Sequence, residues 1–581
     1  MRLQWFQFQK EVRASCPVCG EGGPKAAVLS TDHVLPEHPR VTLLRCPACG
    51  AAFLQDLNPP DYEHDMAEML DYYVEQGAGI DFMVAPLLRL PPESVRRCLE
   101  VGCGFGFALD FSRYAFGWEV LGVDPSPLAA AGGEALGLPV FGTYFSAGLD
   151  TGPEPFDLAL CSEILEHVAE PHSLLAAIRG RLSPEGLLVL STPNLAIVRR
   201  ETEEGALGRA LSPGLHLVLY DRDSLALLLA KVGFSAVRIE ESPETLRAFA
   251  ACSPAALARL RPAAPAGGQT LLRDYFAVRA AEAPPSSTLA CGFAYRHFKE
   301  CVNAGLYEEA AASRVRLARV YQERFGLDLE APATLMKEVR RPVPFNLTGT
   351  LFFSGILELN SLGRPDRAAE YFAAAVEAGS FLQAGQCPFG LHDGETEGLL
   401  RQSRKHLPMA LAATEPDRAV REVEELASVA PDLLAETRAQ TFVRLVNAGA
   451  YDAAERMAPQ VARQIDLTGL EERGEESPGA LDPVFCLGML ALHRERAEEA
   501  ADLFGRVYQS AGRRAAPERA ELLWSARYHE ALSLQRAGEE APAREALAEV
   551  AAAAGHPGLP PVPAPLADAA RALLALEAAE G

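Results

Sequence analysis

Three short stretches of this 581-residue chain set residue types at spacings that could do chemistry. Two of them are "CPVCG" at 16–20 and "CPACG" at 46–50. A Cys-x-x-Cys turn brings two thiolates onto one metal ion, and the glycine behind it allows the tight backbone the turn requires. Together Cys16, Cys19, Cys46 and Cys49 supply four sulfurs and close the tetrahedron of a structural Zn2+ site. A redox dithiol would need only one pair, inside a thioredoxin-like βαβ setting, and that setting is absent. The segment up to residue 58 is also too short to bury a core unaided, so a metal staple makes physical sense. A zinc ribbon is therefore expected over 1–58.

The third stretch is "LEVGCGFG", 99–106. A strand-like run, Arg97–Val101, leads into Gly102, Gly104 and Gly106, and a helical pattern follows from Phe107. This strand–loop–helix order lets backbone N–H groups come close to a ligand. Dinucleotide sites share the glycine spacing, but Glu100 stands directly before these glycines. A carboxylate there disfavours an anionic pyrophosphate and favours a cofactor with a cationic amino group. Asp124 ends the next strand-like run, 18 residues beyond Gly106, where a carboxylate can chelate two ribose hydroxyls. Further on, "FDLALCSEILEHV" (156–168) carries Glu163, Glu166 and His167, and His216 follows. Histidine of near-neutral pKa suits the removal of a proton from an oxygen or carbon acceptor. The plainer alternative gives Glu166 and His167 a structural place on a helix.

The elements that must position these groups read as follows. Residues 59–95 have a helical pattern closed by Pro91-Pro92. From 96 to about 250, apolar runs alternate with helical patterns, the signature of an α/β domain with a mainly parallel sheet. Strands are expected at Arg97–Val101, Glu119–Asp124, Phe156–Cys161, Gly186–Thr192 and Phe234–Glu240. The proline-rich stretches "RPAAPAGG" and "AEAPPSST" frame a linker or small connecting segment over 251–289. Residues 290–581 read as all-α, interrupted by "HPGLPPVPAPLAD" (556–568). Weak repeats run through this region. "VNAGLYEEAA" (302–311) returns as "VNAGAYDAAE" (446–455), and Gly488, Ala500 and Phe504 share spacings with Ala531, Ala543 and Leu547. Gly355, Ala368 and Phe372 come close to the same pattern. Small residues at such places let paired helices approach, the packing logic of tetratricopeptide hairpins, although the copies are not regularly spaced.

Composition narrows the classes. With 78 acids against 54 bases the net charge is −24, a surface that repels phosphate backbones and disfavours nucleic acid as partner. An apolar content of 49% reads as globular, and a transmembrane run is not expected. The N-terminal residues lack a secretory pattern, so a cytoplasmic location is expected.

Taken in order, these motifs resemble the class I S-adenosylmethionine-dependent methyltransferases, the broad superfamily that includes ubiquinone-type and sugar methyltransferases. "LEVGCGFG" is similar to the first cofactor motif and "VLGVDPSP" to the second. "FDLALCSEILEHV" is similar to the strand-four segment, "RLSPEGLLVLSTPN" to strand five, and "HLVLYDRDSLALLLAKVGF" (216–234) to the closing strand–helix element. The resemblance covers roughly 150 residues. It implies a Rossmann-like sheet with helices on both faces, between a small zinc ribbon and an all-α, helical-repeat-like region. It also implies S-adenosylmethionine as cofactor. Glu100, Gly102, Gly104 and Gly106 would line its methionine side, Asp124 would hold its ribose, and Cys161 would lie in the same cofactor site. Glu163, His167 and His216 are the candidates for catalysis. The family's acid after strand three is missing here, where "VFGTYFSAG" offers Thr143 and Tyr144. "NPPDY" (58–62) resembles the loop by which amino-methyltransferases hold an exocyclic amine, but Asp61 interrupts it, so a linker turn is expected.

The expected function is methyl transfer to a small-molecule or glycan-type acceptor, a sugar or surface-polysaccharide precursor being favoured. The C-terminal helices would recruit the acceptor or a protein partner. Two alternatives are an RNA-base methyltransferase with a zinc-ribbon reader and an inactive methyltransferase fold serving as a helical binding scaffold. The ribbon's six Lys/Arg against five Asp/Glu give no basic face for the first of these.

Overall fold

The computed structural model describes all residues except 1, 7–9, 36–37, 60, 63–68, 263–266, 339–342, 385–392, 466–480, 513–516, 553–558 and 581. Parts of the expected 59–95 helical connector, of the linker and of the 556–568 interruption thus lie outside the described residues. Two compact units are present: Met1–Thr350 with Ala378–Gly398, and Leu351–Glu377 with Leu399–Gly581.

In the first unit, strands β1 (Gln4–Trp5), β2 (Glu11–Ser15), β3 (Gly22–Thr31), β4 (Val41–Arg45) and β5 (Ala52–Leu54) form an antiparallel sheet around the two cysteine turns. The seven-stranded sheet has β6 (Arg97–Val101), β7 (Glu119–Val123), β8 (Val140–Phe141), β9 (Phe156–Ser162), β10 (Leu182–Pro193), β12 (Ala236–Glu241) and β13 (Thr245–Ala251) in the order β12-β13-β10-β9-β6-β7-β8. Its β10-β9-β6-β7-β8 portion is parallel, and each of those strands is mostly apolar, as a sheet covered on both faces requires. All five expected strands are present within a few residues.

Strand β13 was not among the expected strands. It slots antiparallel between β10 and β12, pairing residue for residue with both. Its sequence, TLRAFAA, is rich in alanine, a residue depleted in strands, and its place is decided by two neighbours rather than by propensity. Strand β11 (Val218–Leu219) leaves the seven-stranded sheet altogether and pairs with β5 of the ribbon. One apolar core runs accordingly from Cys16 and Phe53 through Leu99 and Cys161 to Ala250.

Helix ends follow local rules. Gly117, in the left-handed region at φ 71°, closes the helix Phe107–Phe116. Asp221 and Ser224 form a reciprocal cap on the helix Arg222–Val232. Within 251–289 the structure holds a 15-residue helix, Gly268–Glu282. Its Tyr275 and Arg279 donate to the buried Asp110 at 3.0 and 2.8 Å, which ties this segment to the glycine-loop helix.

The C-terminal region is all-α. Gly305 and Gly449, at φ 70° and 72°, make the same left-handed turn in the two "VNAG" copies. In each, the next residue's N–H returns to a carbonyl five residues back, Leu306 to Cys301 and Ala450 to Leu445, both at 2.9 Å. In the second unit, a Cβ on Gly355 would lie 2.6 Å from the Phe372 ring and one on Gly488 2.8 Å from Phe504. Phe352, Phe372 and His406 stack ring to ring as Phe485, Phe504 and His529 do, so one packing arrangement occurs twice. Among the described residues no helix is long and apolar enough to cross a membrane.

Candidate functional site

The Sγ atoms of Cys16, Cys19, Cys46 and Cys49 lie within 4.8 Å of one another. Two cross pairs, Cys16–Cys49 and Cys19–Cys46, stand 3.7 and 3.6 Å apart. Metal–sulfur bonds of about 2.3 Å in a tetrahedron put sulfurs about 3.8 Å apart, so the spacing fits the ion. Each turn is closed by a glycine N–H returning to the first cysteine's carbonyl, Gly20 to Cys16 and Gly50 to Cys46, at φ 79° and 83°.

The second feature is the loop after β6. Glu100 is 2% exposed, and its Oε2 has no hydrogen-bond partner among the described residues. Burial, and then the neighbouring Asp124, push its carboxyl up to about 8. Asp124 accepts from the Gly104 N–H at 2.8 Å through Oδ2 and from the Ser126 N–H at 2.7 Å through Oδ1. Each carboxylate oxygen keeps a second lone pair for a further donor. Gly102 and Gly104 sit at φ 74° and 49°. A Cβ at Gly102 would fall 2.2 Å from Ile164 Cδ1, and one at Gly104 would fall 3.0 Å from the Tyr73 hydroxyl. The loop is thus a cradle that side chains would fill. An orphaned buried carboxylate beside backbone donors and a ribose-type acid suits a cofactor with one ammonium and two vicinal hydroxyls. Cys161 is fully buried on β9, in the apolar core that also holds Leu99.

Tyr73 was not singled out from sequence. It opens a π-helical turn, Tyr73–Gly77, that crosses the glycine loop, with its ring stacked on Phe107 at 6.0 Å. Such turns are short insertions whose placement depends on what they pack against.

The third feature follows β9. Glu163 takes φ 54°, a left-handed conformation rare for a non-glycine residue, and its N–H donates to Ser191. Its surface is exposed, while surrounding protein still raises its carboxyl above the ordinary range. This turn drives the next residues inward. Glu166 is fully buried; its Oε2 accepts from the Thr192 hydroxyl at 2.9 Å and its Oε1 has no hydrogen-bond partner among the described residues. His167 Nε2 stands 3.8 Å from that oxygen, and the His216 ring lies edge-on to His167 at 4.8 Å. His216 donates through Nδ1 to the Ala210 carbonyl at 2.8 Å, an obligate acceptor, which leaves its Nε2 with a lone pair. His167 Nδ1 meets the Leu215 carbonyl at 3.0 Å and the Tyr62 hydroxyl at 2.7 Å.

Two expectations are corrected here. Neither histidine has a near-neutral pKa: burial, then His216, depress His167 to about 3, and burial depresses His216 to about 4. "NPPDY" is also more than a linker turn, because its Tyr62 reaches His167. Sequence offered a signal for that contact only in the aromatic residue beside the prolines. Glu166, His167 and His216 can together present three donor atoms within 4.8 Å to a metal ion.

Residues 50–239, which include the glycine loop and the parallel strands β6 to β10, match the family model described as a methyltransferase domain. Among curated relatives, the ubiquinone biosynthesis O-methyltransferase of Cereibacter sphaeroides is 36% identical over 130 residues, 22% of this chain and 51% of the relative. The mitochondrial ubiquinone biosynthesis O-methyltransferase of Schizosaccharomyces pombe is 33% identical over 128 residues, 21% and 46% of the two chains. The chain thus spans about half the length of the curated relatives it matches. Among solved structures, an O-methyltransferase family protein from Burkholderia thailandensis is 16% identical over 34% of this chain and 66% of that one, at a TM-score of 0.29.

Proposed function

We propose that this protein transfers a methyl group from S-adenosylmethionine to a hydroxyl of a small, sugar-type acceptor, and that Zn2+ held by Cys16, Cys19, Cys46 and Cys49 is structural. The observation that carries the reading is the buried, unpartnered Oε2 of Glu100 beside Asp124 and a loop of left-handed glycines. When bound, the cofactor supplies an electrophilic methyl group on a sulfonium. Glu100 holds its ammonium, Asp124 its ribose hydroxyls, and the Gly102–Gly106 backbone keeps side chains out of its way. These residues would supply much of the rate by positioning the cofactor against the acceptor.

On the acceptor side, the Glu166 carboxyl and the neutral imidazoles of His167 and His216 would orient the hydroxyl by hydrogen bonds, its proton passing to solvent as the C–O bond forms, with Tyr62 and Thr192 fixing their orientation. A second reading is favoured by the three convergent donor atoms, which suit a divalent cation that would bind the acceptor oxygen. Metal content of the active chain separates the two: one zinc per chain with no need of added metal supports the histidines acting directly, whereas a second bound metal or a requirement for added Mg2+ or Mn2+ supports the cation. The helices beyond residue 290, in tetratricopeptide-like pairs, are proposed to recruit the acceptor or a protein partner.

Calorimetric titration with S-adenosylhomocysteine tests the cofactor reading. The wild-type chain is expected to bind at micromolar concentration and Asp124→Ala to lose about 100-fold, the loss of two charge-assisted hydrogen bonds. Absence of binding to folded, zinc-loaded protein would remove the enzymatic reading and leave the scaffold alternative.

Affinity should also depend on pH. Glu100 is protonated below about 8 and must ionise to hold an ammonium, so binding releases a proton. Affinity is expected to rise about tenfold per unit from pH 6 towards 8 and then level off. Glu100→Gln should bind weakly with no such slope; a wild-type profile flat over this range would contradict the assignment.

A further inference from the structure

A cavity of about 320 Å³ lies in the first unit, beyond the π-helical turn that crosses the glycine loop. That volume is at the small end of ligand pockets. Half of its wall comes from residues after 239, outside the methyltransferase match, among them Phe276, Tyr295, Lys299, Glu300 and the 393–395 segment.

The hydrogen-bonding balance of this wall is uneven. Its cations are engaged by the protein. Arg296 donates to the Val74 carbonyl at 2.6 Å, Lys299 pairs with Glu395 at 2.9 Å, and Arg209 lies 3.7 Å from Glu244. Its acceptors are not all matched. Gln76 is 5% exposed and gives both amide hydrogens to Asp393 and Thr396, while its carbonyl Oε1 has no hydrogen-bond partner among the described residues. The carboxylate orientation of Asp393 fixes which end of that amide is the oxygen. Asp81, at the rim, is exposed; burial and Asp81 raise the Glu300 carboxyl, against Lys299 and a hydrogen bond with Asn303, which lower it. The buried rings of Phe276 and Tyr295 complete the wall with apolar, electron-rich surface. Unmatched acceptors beside aromatic faces suit a ligand that donates hydrogen bonds and carries positive charge.

Two elements connect this cavity to the reaction site. Arg209 on its wall precedes Ala210, whose carbonyl holds His216 at 2.8 Å. Gln76 belongs to the same turn as Tyr73, which stands over Gly104.

We infer that the cavity binds a hydroxylated aliphatic amine, in its simplest form an amino sugar, and is the subsite that recognises the methyl acceptor. The acceptor role rests on the methyl-transfer reading; ligand binding itself does not. An ammonium group fits between Asp81, Glu300 and the Gln76 carbonyl, and the ligand's apolar ring face fits against Phe276 and Tyr295.

The test is titration of the full, zinc-loaded chain with D-glucosamine, N-acetyl-D-glucosamine and D-glucose, read by saturation-transfer NMR and calorimetry. D-Glucosamine is expected to bind at about millimolar concentration or tighter, and roughly tenfold more tightly than the other two, which lack the charge. Asp81→Asn should weaken it about tenfold while leaving the melting temperature unchanged, and Glu300→Gln serves the same purpose should that variant fail to fold. Equal binding of all three sugars, absence of D-glucosamine binding, or full affinity in both variants would overturn the inference. Binding of S-adenosylhomocysteine by the same preparation separates the two readings. If it binds and D-glucosamine does not, the cavity assignment alone fails. If D-glucosamine binds and S-adenosylhomocysteine does not, the acceptor role falls.

Discussion

Replacing Cys46 with alanine is expected to release the amides of Leu217, Val218 and Leu219 to rapid hydrogen exchange and to lower methyl transfer by about 100-fold, although Cys46 stands outside the reaction site. The route is a chain of backbone bonds. The Cys46–Gly50 turn runs directly into β5, and β5 pairs Phe53 with Val218 and Ala52 with Leu219. Leu54 donates to the Leu217 carbonyl at 2.8 Å, and Leu217 donates to the Glu166 carbonyl at 2.7 Å. His216 lies next in the chain, with its ring against His167. The other cysteine turn is also docked: His172 donates to the Val18 carbonyl at 2.7 Å and Lys231 to the Cys19 carbonyl at 2.6 Å.

A structural zinc contributes about 10 kcal/mol or more to the fold of a small domain, so losing one thiolate removes most of what holds β5 in place. Hydrogen-exchange mass spectrometry, with zinc content measured on the same sample, checks the result. A zinc-free variant that keeps its protection at 217–219 would show that the shared apolar core suffices without the metal.

Gly102→Val should abolish cofactor binding, with the dissociation constant for S-adenosylhomocysteine rising by about 100-fold or more. Two costs add. At φ 74° a β-branched side chain is strained by about 1–2 kcal/mol. Its Cβ would also lie 2.2 Å from Ile164 Cδ1, and relieving such an overlap costs about 1–3 kcal/mol. Relief must come from the 163–167 turn, so Glu166 and His167 would be displaced along with the loop. Gly137→Ala is the control: φ is 62° there, nothing lies within 4 Å of the new Cβ, and only strain is added. That variant should melt slightly lower and bind the cofactor normally. If both variants bound equally well, the cradle would not be the cofactor site.

The zinc ligands and the glycine loop were legible in the sequence because their geometry is local. Cys-x-x-Cys-Gly closes its own turn, as Gly20 and Gly50 do, and a strand followed by three left-handed glycines shapes its own cradle. The histidines were recognised by type, but their state was not. A near-neutral imidazole is a property of water, and the depressed values of His167 and His216 come from walls contributed by distant segments. Tyr62 stands 105 residues from its partner His167, and Tyr73 stands over a loop some thirty residues later in the chain. No spacing rule links such pairs. The strand β13 was missed because its alanines carry little strand preference until β10 and β12 flank it.

The sequence by itself determined the parts whose backbone needs are met within a few residues: the cysteine turns, the glycine cradle, the helix caps, and the alternation that makes an α/β domain followed by helices. Only the tertiary structure decided which strand the ribbon borrows, which aromatic residues cover the glycine loop, and which buried acceptors are left without donors. Those outcomes depend on burial and on hydrogen-bond partners far apart in the chain, and a buried group's chemistry is set by whatever the fold packs around it.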